Sequence, residues 1–413
     1  MRFERTPIAP IPEPVLRALG ARNGWLIEST DMIRCGFGES VASCEMPMGL
    51  EGGDEVLSAL RGHELFGSDG PSGSGVVAFG SLPFDRSAPA RLEVARYLIT
   101  QNRAGEAWLS MLEGSPDPSI LIAEVRTPSQ EAQSLRSLRY QPTPEEYAHQ
   151  VARAVEILRR KELDKVVLAR CVSGSVPESL DAAAIAARLR VREPICTIYS
   201  LPTTDGRRYV GASPELLARR SGPVVQCHPL AGTIALPSNV APDDYETWLL
   251  GSTKNLHEHG VLVDDLVRTL ADRYDDISVD PAPSIVTLRT VAHLGTWITG
   301  VHHEPANAPD ALEVLAMLHP TAAVGGIPRR AAYELIRQIE QRDRGHYAGP
   351  LGWLDANGDG EWWIGLRGVL IAGSEFEAWA GAGIVSESDP TAEREETKDK
   401  LASVLSSVLV ERV

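Results

Sequence analysis

The sequence predicts a fold of mixed α-helices and β-strands, in which helices and β-hairpins follow one another without a repeated unit. Three observations support this class. A segment with helical periodicity covers residues 143–160, a β-rich run follows at 165–170, and the last third of the chain has the pattern of hairpins followed by one helix. The fold therefore contains both helices and β-sheets, which pack against one another.

The composition indicates a globular chain with an acidic surface. Of 413 residues, 43% are hydrophobic and 23% are charged, which allows a sizeable buried core. The balance of 40 Lys and Arg against 56 Asp and Glu gives a net charge of -16. Such a balance disfavours nucleic acid or an anionic membrane as the partner.

The cysteines and the N-terminus predict a cytoplasmic protein. Five cysteines occur in odd number and without a CxxC pair, so neither a disulfide framework nor a zinc ribbon is expected. The N-terminus lacks the apolar stretch of a signal peptide, and no apolar run approaches the length of a membrane span. The thiols are therefore expected to be reduced and partly buried.

Two polar stretches interrupt the first third of the chain. Residues 68–75 are rich in Gly and Ser and predict a turn. Residues 127–144 are poor in branched apolar side chains and predict a long surface excursion. The residues before this second stretch predict mixed, strand-rich structure.

The periodic segment that follows begins with a complete helix N-terminal signal. Thr143 can cap the helix, Pro144 can occupy its first position and Glu146 can close a capping box. In the β-rich run at 165–170, Lys165 shares one face of the strand with small and branched residues. A buried ammonium must find a partner or lose its proton, so Lys165 is a candidate functional residue.

The C-terminal third predicts consecutive strands at 351–354, 362–372 and 376–385. The turn at 355–360 resembles the opening of a calcium loop. Such a loop needs a bidentate Glu at its twelfth position, where this chain has Leu366. The prediction for this turn is therefore a hairpin connection.

The final helix carries Glu393, Glu396 and Lys400 at offsets of three and four, which places them on one stripe. Two stacked carboxylates repel each other unless a cation lies between them, and oxygen ligands suit Mg²⁺. The alternative is a solvated charged face. Gly381 and Gly383 in the preceding strand favour a site, because they let a ligand approach backbone amides.

Two further charged residues are candidates for the same chemistry. Glu258 lies at the front of a periodic helix, between His257 and His259, and no HExxH zinc motif is present. Arg367 lies within a predicted strand at 363–369. A guanidinium there is expected to bind a carboxylate, which belongs either to a substrate or to the protein itself.

These segments together resemble the chorismate-utilising enzymes, the family that includes isochorismate synthases and component I of anthranilate synthases. The resemblance spans about residues 140 to 410. The motifs occur in the family's order: KVVLAR at 165–170, GASPEL at 211–216, PLAGT at 229–233, KNLHEH at 254–259, HLGT at 293–296, LHPTAAVGG at 318–326, Arg367, GAGIV at 381–385 and EREETKDKL at 393–401. So many segments in register exclude chance.

The resemblance implies the family's fold, an α+β unit with two antiparallel β-sheets packed in the core, helices outside and the site in a cleft between them. It implies one domain over residues 1–413. Residues 1–135 would be the more variable N-terminal portion, and residues 140–410 would be the core that carries the active site.

Within that family, particular residues favour the addition of water over that of ammonia. Lys165 stands where isochorismate and salicylate synthases have their general base and anthranilate synthases have Gln. Ala231 stands where aminodeoxychorismate synthases have a nucleophilic Lys. The His319-Pro-Thr321 segment is similar to that of isochorismate synthases, although Ala322 or Ala323 replaces a common Pro.

By the same resemblance, Lys165 is the base that activates water and Glu215 is the acid that protonates the departing C4 hydroxyl. Both would have to be uncharged, which a closed, poorly hydrated pocket favours. For Glu215 the alternative is an ordinary salt-bridged residue. Glu258 and Glu396 would bind Mg²⁺, with Glu393 contributing directly or through water, and the metal would take the ring carboxylate.

The resemblance also implies the substrate-binding residues. Arg367 and Tyr347 would hold the enolpyruvyl carboxylate of chorismate. His293 would orient the ring environment, unless it is a satisfied core histidine. The other residues implied near the substrate are Thr233, Gly232, Gly381, Gly383 and Lys400.

The resulting hypothesis is a magnesium-dependent isochorismate synthase. The closest alternative is a salicylate synthase, which adds pyruvate elimination; an anthranilate synthase component and a non-catalytic chorismate-binding protein are weaker. Chorismate is a dianion, so Mg²⁺, Arg367 and Lys400 would offset the negative charge of the protein. An isochorismate-using enzyme would act downstream, and a monomer is expected.

Overall fold

The computed structural model describes residues 1–46, 53–128, 131–236 and 242–410. The helices are α1 (Glu13–Asn23), α2 (Gly53–Arg61), α3 (Ser119–Ala123), α4 (Pro144–Arg159), α5 (Ala182–Arg192), α6 (Pro242–Gly251), α7 (Thr253–Ala271), α8 (Ala311–Leu318), α9 (Arg329–Glu340) and α10 (Pro390–Leu405). A short 3-10 helix covers Pro305–Asn307. No helix within these described ranges is both long enough and apolar enough to cross a bilayer.

The strands are β1 (Arg2–Ile8), β2 (Trp25–Glu28), β3 (Met32–Met46), β4 (Glu64–Gly67), β5 (Val77–Ser81), β6 (Ala90–Asn102), β7 (Ala107–Leu112), β8 (Ser137–Gln141), β9 (Lys165–Ser175), β10 (Thr197–Pro202), β11 (Arg208–Ser213), β12 (Leu216–Ser221), β13 (Val224–His228), β14 (Leu230–Ala235), β15 (Asp276–Val279), β16 (Ser284–Thr287), β17 (Val291–Gly295), β18 (Ile298–Val301), β19 (Gly326–Ile327), β20 (Pro350–Asp355), β21 (Gly360–Ile364), β22 (Gly368–Ala372) and β23 (Glu375–Ile384).

Two antiparallel sheets form the framework, and they share the long strands β3 and β6. The first sheet runs β1-β7-β6-β3-β2-β10-β11-β22-β23-β9-β8. The second runs β3-β6-β5-β20-β21-β12-β13-β18-β15. The edge pair β1–β4 is parallel. This arrangement, with helices packed outside, confirms the predicted α+β class.

The layer between the two sheets is a continuous apolar core. It is built from alternate residues of facing strands, as expected for strands whose other face packs elsewhere. Full burial of one such large side chain stabilises the fold by about 1.5–3 kcal/mol. The residues of this layer are Trp25, Ile27, Val77, Phe79, Ala95, Leu98, Tyr199, Leu201, Tyr209, Leu216, Leu351, Trp353, Trp363 and Leu370.

Helices cover the outer faces. α1 and α5 pack on the first sheet together with the end of α10, and α4, α7, α8 and α9 contribute to a second large core. A separate three-stranded antiparallel sheet, β14-β17-β16, packs against α6 and α7. This small sheet stands beside β9 and β23 and closes one side of a cleft.

The helix signal at Thr143 is confirmed. Its hydroxyl accepts from the Glu146 amide at 3.3 Å, and the Glu146 carboxylate accepts from the Thr143 amide at 2.9 Å. The predicted excursion at 127–144 is wrong for its second half, where β8 pairs with β9 along five residues. The strand was missed because backbone hydrogen bonds, and few apolar side chains, hold it in place.

The turn at 355–360 is a hairpin connection, as predicted. Asp359 accepts from the Arg220 guanidinium at 2.6 Å, and Asp355 accepts from the Gly73 amide at 3.3 Å. Ser72 Oγ donates to Asp359 at 3.0 Å. The carboxylates that resemble calcium ligands therefore bind protein groups, and they fasten the Gly-rich turn of residues 68–75.

Candidate active site

The cleft opens where the chain crosses from one sheet to the other. Glu215 lies in the crossing from β11 to β12, and residues 365–367 lie in the crossing from β21 to β22. β9 and β23 supply one wall, and α7, α10, β14 and β17 supply the others. The empty volume is about 740 Å³, part of which is open to solvent.

Most of the site residues predicted from the sequence meet in this cleft. Gly232 and Glu393 are outside its lining: Gly232 precedes a lining residue of β14, and Glu393 lies one turn before a lining residue of α10. The predicted residues that line the cleft are Lys165, Glu215, Thr233, Glu258, His293, Tyr347, Arg367, Gly381, Gly383, Glu396 and Lys400.

Lys165 begins β9 and is only 2% exposed. Gly383 on β23 pairs with Val167, so it lies beside the lysine side chain. A Cβ atom at Gly383 would lie 3.0 Å from Lys165 Cε and 2.5 Å from Glu258 Oε1. Gly383 therefore makes room for these two protein side chains, which is a different role from the predicted approach of a ligand to backbone amides.

Lys165 and Glu258 form an ion pair across the cleft, with 2.8 Å between Nζ and Oε1. Burial raises the pKa of Glu258, but the charge and hydrogen bond of Lys165, together with Lys254 and Lys400, outweigh burial and hold that pKa below its ordinary value. Lys165 Nζ is thus engaged by a carboxylate, and the uncharged amine that the family resemblance implies stays a prediction. Lys165 can act as a base only after this pair opens.

Glu215 is buried, and no cation lies at ion-pair distance in the described part of the chain. Its Oε1 accepts one long hydrogen bond, 3.5 Å from the Leu230 amide. Burial raises the pKa of Glu215 to about 8. The side chain is therefore a protonated acid at neutral pH, and the alternative of a salt-bridged structural residue does not apply.

On α10, the predicted acidic stripe is paired with lysines. Lys400 Nζ lies 2.6 Å from Glu396 Oε1 and donates to the Gly381 carbonyl at 3.0 Å. Lys254 Nζ lies 3.1 Å from Glu393 Oε1. Burial, and then repulsion by Glu396, raise the pKa of Glu393. A solvated charged face is therefore the wrong description of this stripe, because Glu393 is buried.

The ion pair of Lys254 was missed from the sequence. The residue belongs to a recognised motif, but its partner is 139 positions away and no local pattern indicates it. Burial lowers the pKa of Lys254, whereas Glu393, Glu258 and Glu396 together raise it above its ordinary value. The ammonium group of Lys254 is therefore stabilised by all three carboxylates, although only Glu393 lies at ion-pair distance among the described residues.

The cleft and its border offer carboxylate oxygens, which are the type of ligand that a hard divalent cation prefers. Glu258 comes from α7, Glu393 and Glu396 come from α10, and carboxylate oxygens are the ligands that Mg²⁺ prefers. In the present arrangement each carboxylate is turned towards a lysine. Among the described residues, no three acidic, His or Cys side chains reach metal-binding separation. These carboxylates could hold a cation together only if the lysine pairs loosened.

Arg367 does not lie within a strand, contrary to the sequence prediction. It connects β21 to β22 with a φ of 50°, a left-handed conformation that costs a residue other than glycine about 1–3 kcal/mol. The apolar pattern continues through this point, but the chain changes sheets there. Gly365 and Gly368 make this crossing possible, because a Cβ at either one would press on Tyr209 or on neighbouring backbone.

The Arg367 guanidinium is buried and incompletely paired. Its Nη2 lies 3.4 Å from His293 Nε2, and its Nη1 has no hydrogen-bond partner in the described part of the chain. A buried donor without an acceptor is unfavourable. This donor is therefore available to an anion, and Arg367 forms no internal ion pair with any residue that the structure describes.

Tyr347 stands beside Arg367 in the cleft and stacks on Trp379, with ring centroids 5.8 Å apart and planes 15° apart. Trp379 Nε1 donates to Glu377 at 2.8 Å, and the Arg342 guanidinium lies 5.3 Å from the indole centroid. Burial raises the pKa of Tyr347 to about 12, so its hydroxyl remains a donor. Trp379 was not predicted, although an aromatic residue two positions before Gly381 was a usable signal.

The small sheet contributes Thr233 and His293, which face each other across β14 and β17. Thr233 Oγ1 lies 3.0 Å from His293 Nδ1. Burial, followed by Arg367 and Lys400, lowers the pKa of His293 well below its ordinary value. Gly232 has a φ of 69°, and a Cβ there would lie 3.0 Å from the Asn255 carbonyl, so the glycine lets α7 pack closely on β14.

The chain is similar to known proteins over most of its length. The family described as chorismate binding enzyme matches residues 65–409. A Mycobacterium tuberculosis protein provisionally named isochorismate synthase MenF is 36% identical over 352 residues, which cover 83% of this chain and 88% of that protein. Isochorismate synthase EntC of Escherichia coli is 32% identical over 332 residues, 80% of each chain.

A solved structure gives the same result for the fold. The menaquinone-specific isochorismate synthase MenF of Escherichia coli superposes with a TM-score of 0.81 at 26% sequence identity. The superposition covers 98% of this chain and 94% of that one. The similarity thus extends over the N-terminal strands as well as over the part that carries the cleft.

Proposed function

The chain belongs to the chorismate-binding enzyme family, and from that premise we propose that it is an isochorismate synthase, an isomerase that converts chorismate to isochorismate. One observation carries the proposal. A lysine and a carboxylic acid that is protonated at neutral pH line the same cleft, Lys165 on β9 and Glu215 after β11. One can take a proton from water and the other can give a proton to a leaving group.

The reaction exchanges one hydroxyl for another. Once its pair with Glu258 has opened and its amine is uncharged, Lys165 takes a proton from water as the water oxygen bonds to C2 of the ring. The two ring double bonds shift, the bond between C4 and its oxygen breaks, and Glu215 gives its proton to the departing oxygen, which leaves as water. One water enters and one leaves, so the conversion needs no oxidant and is reversible.

The charges of the substrate are matched by unpaired donors. Chorismate carries two carboxylates, and Arg367 Nη1 has no acceptor among the described residues, so Arg367 binds the enolpyruvyl carboxylate with Tyr347 beside it. Glu258 and Glu396 are the residues that would hold Mg²⁺, with Glu393 behind them. When bound, the ion would supply positive charge for the ring carboxylate.

The test is a product assay with purified protein, chorismate and Mg²⁺, followed by chromatographic separation. Isochorismate as the product, lost on addition of a chelator, supports the proposal. Salicylate with pyruvate identifies a salicylate synthase, and anthranilate formed only with ammonia identifies an anthranilate synthase component. Binding of chorismate without any product would mark a non-catalytic relative. Each of these last three outcomes overturns the proposal.

A further inference from the structure

Both ring nitrogens of His293 are engaged by neighbours of different kinds. Nε2 lies 3.4 Å from Arg367 Nη2, and Nδ1 lies 3.0 Å from Thr233 Oγ1. The histidine therefore bridges the small sheet, which carries Thr233, and the sheet crossing, which carries Arg367. It is buried at the end of the cleft that these two residues line.

The chemistry of these neighbours determines which nitrogen carries the proton. A guanidinium only donates hydrogen bonds, so Nε2 has to be the acceptor. A neutral imidazole then carries its hydrogen on Nδ1 and donates it to Thr233 Oγ1. The doubly protonated ring would place a second cation against Arg367 in a buried site, which is unfavourable.

The same reasoning fixes the direction of the Thr233 hydroxyl. Once Oγ1 accepts from His293, its own hydrogen needs a different acceptor. Within the described ranges, Thr233 Oγ1 makes no other hydrogen bond, and the side chain lines the cleft. The hydroxyl hydrogen is therefore available to an oxygen atom of whatever occupies the cleft.

We propose that His293 is a positioning residue that is held by Arg367 as the Nδ1–H tautomer and thereby turns the Thr233 hydroxyl into a hydrogen-bond donor to the substrate. The acceptor is an oxyanion, and its identity as a chorismate carboxylate rests on the proposed function. Arg367 has two tasks in this arrangement: Nη1 binds the anion, and Nη2 sets the hydrogen-bond direction through His293. The histidine takes no part in proton transfer.

The first test reads the tautomer directly in the resting protein. Nitrogen-15 labelling of histidine, with the signals of residue 293 identified by their loss in His293→Phe, should show a protonated Nδ1 and an unprotonated Nε2 at neutral pH. A protonated Nε2, alone or together with Nδ1, overturns the proposal. If chorismate is not converted at all, the proposed function fails while this reading still stands, so the two failures are distinguishable.

The second test is a double-mutant cycle on His293 and Thr233. Thr233→Val should raise KM for chorismate about 10- to 100-fold, the size of a lost hydrogen bond to a charged group, with little change in kcat. Thr233→Ser keeps the hydroxyl and should restore the wild-type KM. Because His293 acts through Thr233, His293→Phe combined with Thr233→Val should raise KM no more than the larger single change. Independent effects that multiply would overturn the proposal.

Discussion

Two clusters of buried charge can be compared in this molecule, one in the N-terminal part and one in the cleft. In the first, Glu28 is fully buried on β2 and accepts two hydrogen bonds from Arg17, at 2.6 and 2.7 Å. Arg103 and Arg190 approach the same carboxylate at 3.3 Å. Both oxygens of this glutamate are engaged by guanidinium groups, so the carboxylate has no free position for a ligand.

The cleft differs because some of its buried charged or ionisable groups lack a full set of partners among the described residues. Arg367 keeps an unpaired donor, and Glu215 keeps its proton for lack of a cation. The lysine–glutamate pairs in the cleft and directly beside it involve side chains that other ligands can attract. A buried cluster whose polar groups are all paired stabilises the fold. A buried cluster with unpaired groups can bind a ligand and react with it.

The largest effect that tests the difference between the cleft and the Glu28 cluster is expected on kcat. Lys165→Ala should lower kcat about 100- to 10,000-fold, because general-base catalysis contributes that much. Magnesium-dependent chorismate binding, measured by calorimetry, should remain. The matched control is Lys398→Ala, an exposed lysine on the same protein, which should leave kcat unchanged. Wild-type turnover in Lys165→Ala would contradict the role of the lysine.

The next effect is on stability and concerns the Glu28 cluster. Glu28→Gln leaves three arginines around a neutral amide and should lower the free energy of unfolding by about 3–5 kcal/mol. Urea denaturation measures it. The matched control, Glu64→Gln, removes an exposed ion pair with Arg2 and should change stability by less than about 1 kcal/mol. Equal stability of the two variants would remove the distinction between the clusters.

A smaller effect is expected from Arg367→Lys. A lysine keeps the charge but loses the forked geometry, so KM for chorismate should rise about 10- to 100-fold. Thermal stability should change little, because the lost Nη1 donor has no partner in the described protein. Arg330→Lys, at a 93% exposed position, is the control for steady-state kinetics. An unchanged KM in Arg367→Lys would show that the guanidinium is structural.

The smallest effect is a pH dependence. Glu215 has a raised pKa of about 8 and has to be protonated to act as an acid. Below that value the acid form dominates, and above it kcat/KM should fall, approaching tenfold for each further pH unit. A profile of kcat/KM against pH measures this limb for the free enzyme. If kcat/KM stays constant above pH 8, the group that protonates the departing oxygen is not Glu215.

Local signals predicted those elements whose partners are close in sequence. The capping box of Thr143 and Glu146 spans four residues, and it was correct because both partners lie within one helical turn. The strand break at Arg367 was not predictable in this way. The residues around it keep a strand-like pattern, and only the change of sheet forces the left-handed backbone.

For the site, the sequence indicated which residues take part but not how they are paired. Motif resemblance identified Lys165, Glu258 and Glu396, since residue type at a spaced position is visible in one sequence. Which lysine meets which carboxylate depends on β9, α7 and α10 packing together, and no spacing rule encodes that packing. Burial alone decides that Glu215 keeps its proton.

The strands β3 and β6 belong to both sheets, so the N-terminal part is not a detachable appendage. It supplies β2, which pairs with β10, and β5, which pairs with β20. A chain cut back to about residue 140 would leave both neighbours with bare hydrogen-bonding edges, and such edges recruit foreign strands. Shortening this protein from its N-terminus would thus yield a fragment prone to fibre formation, not a minimal enzyme.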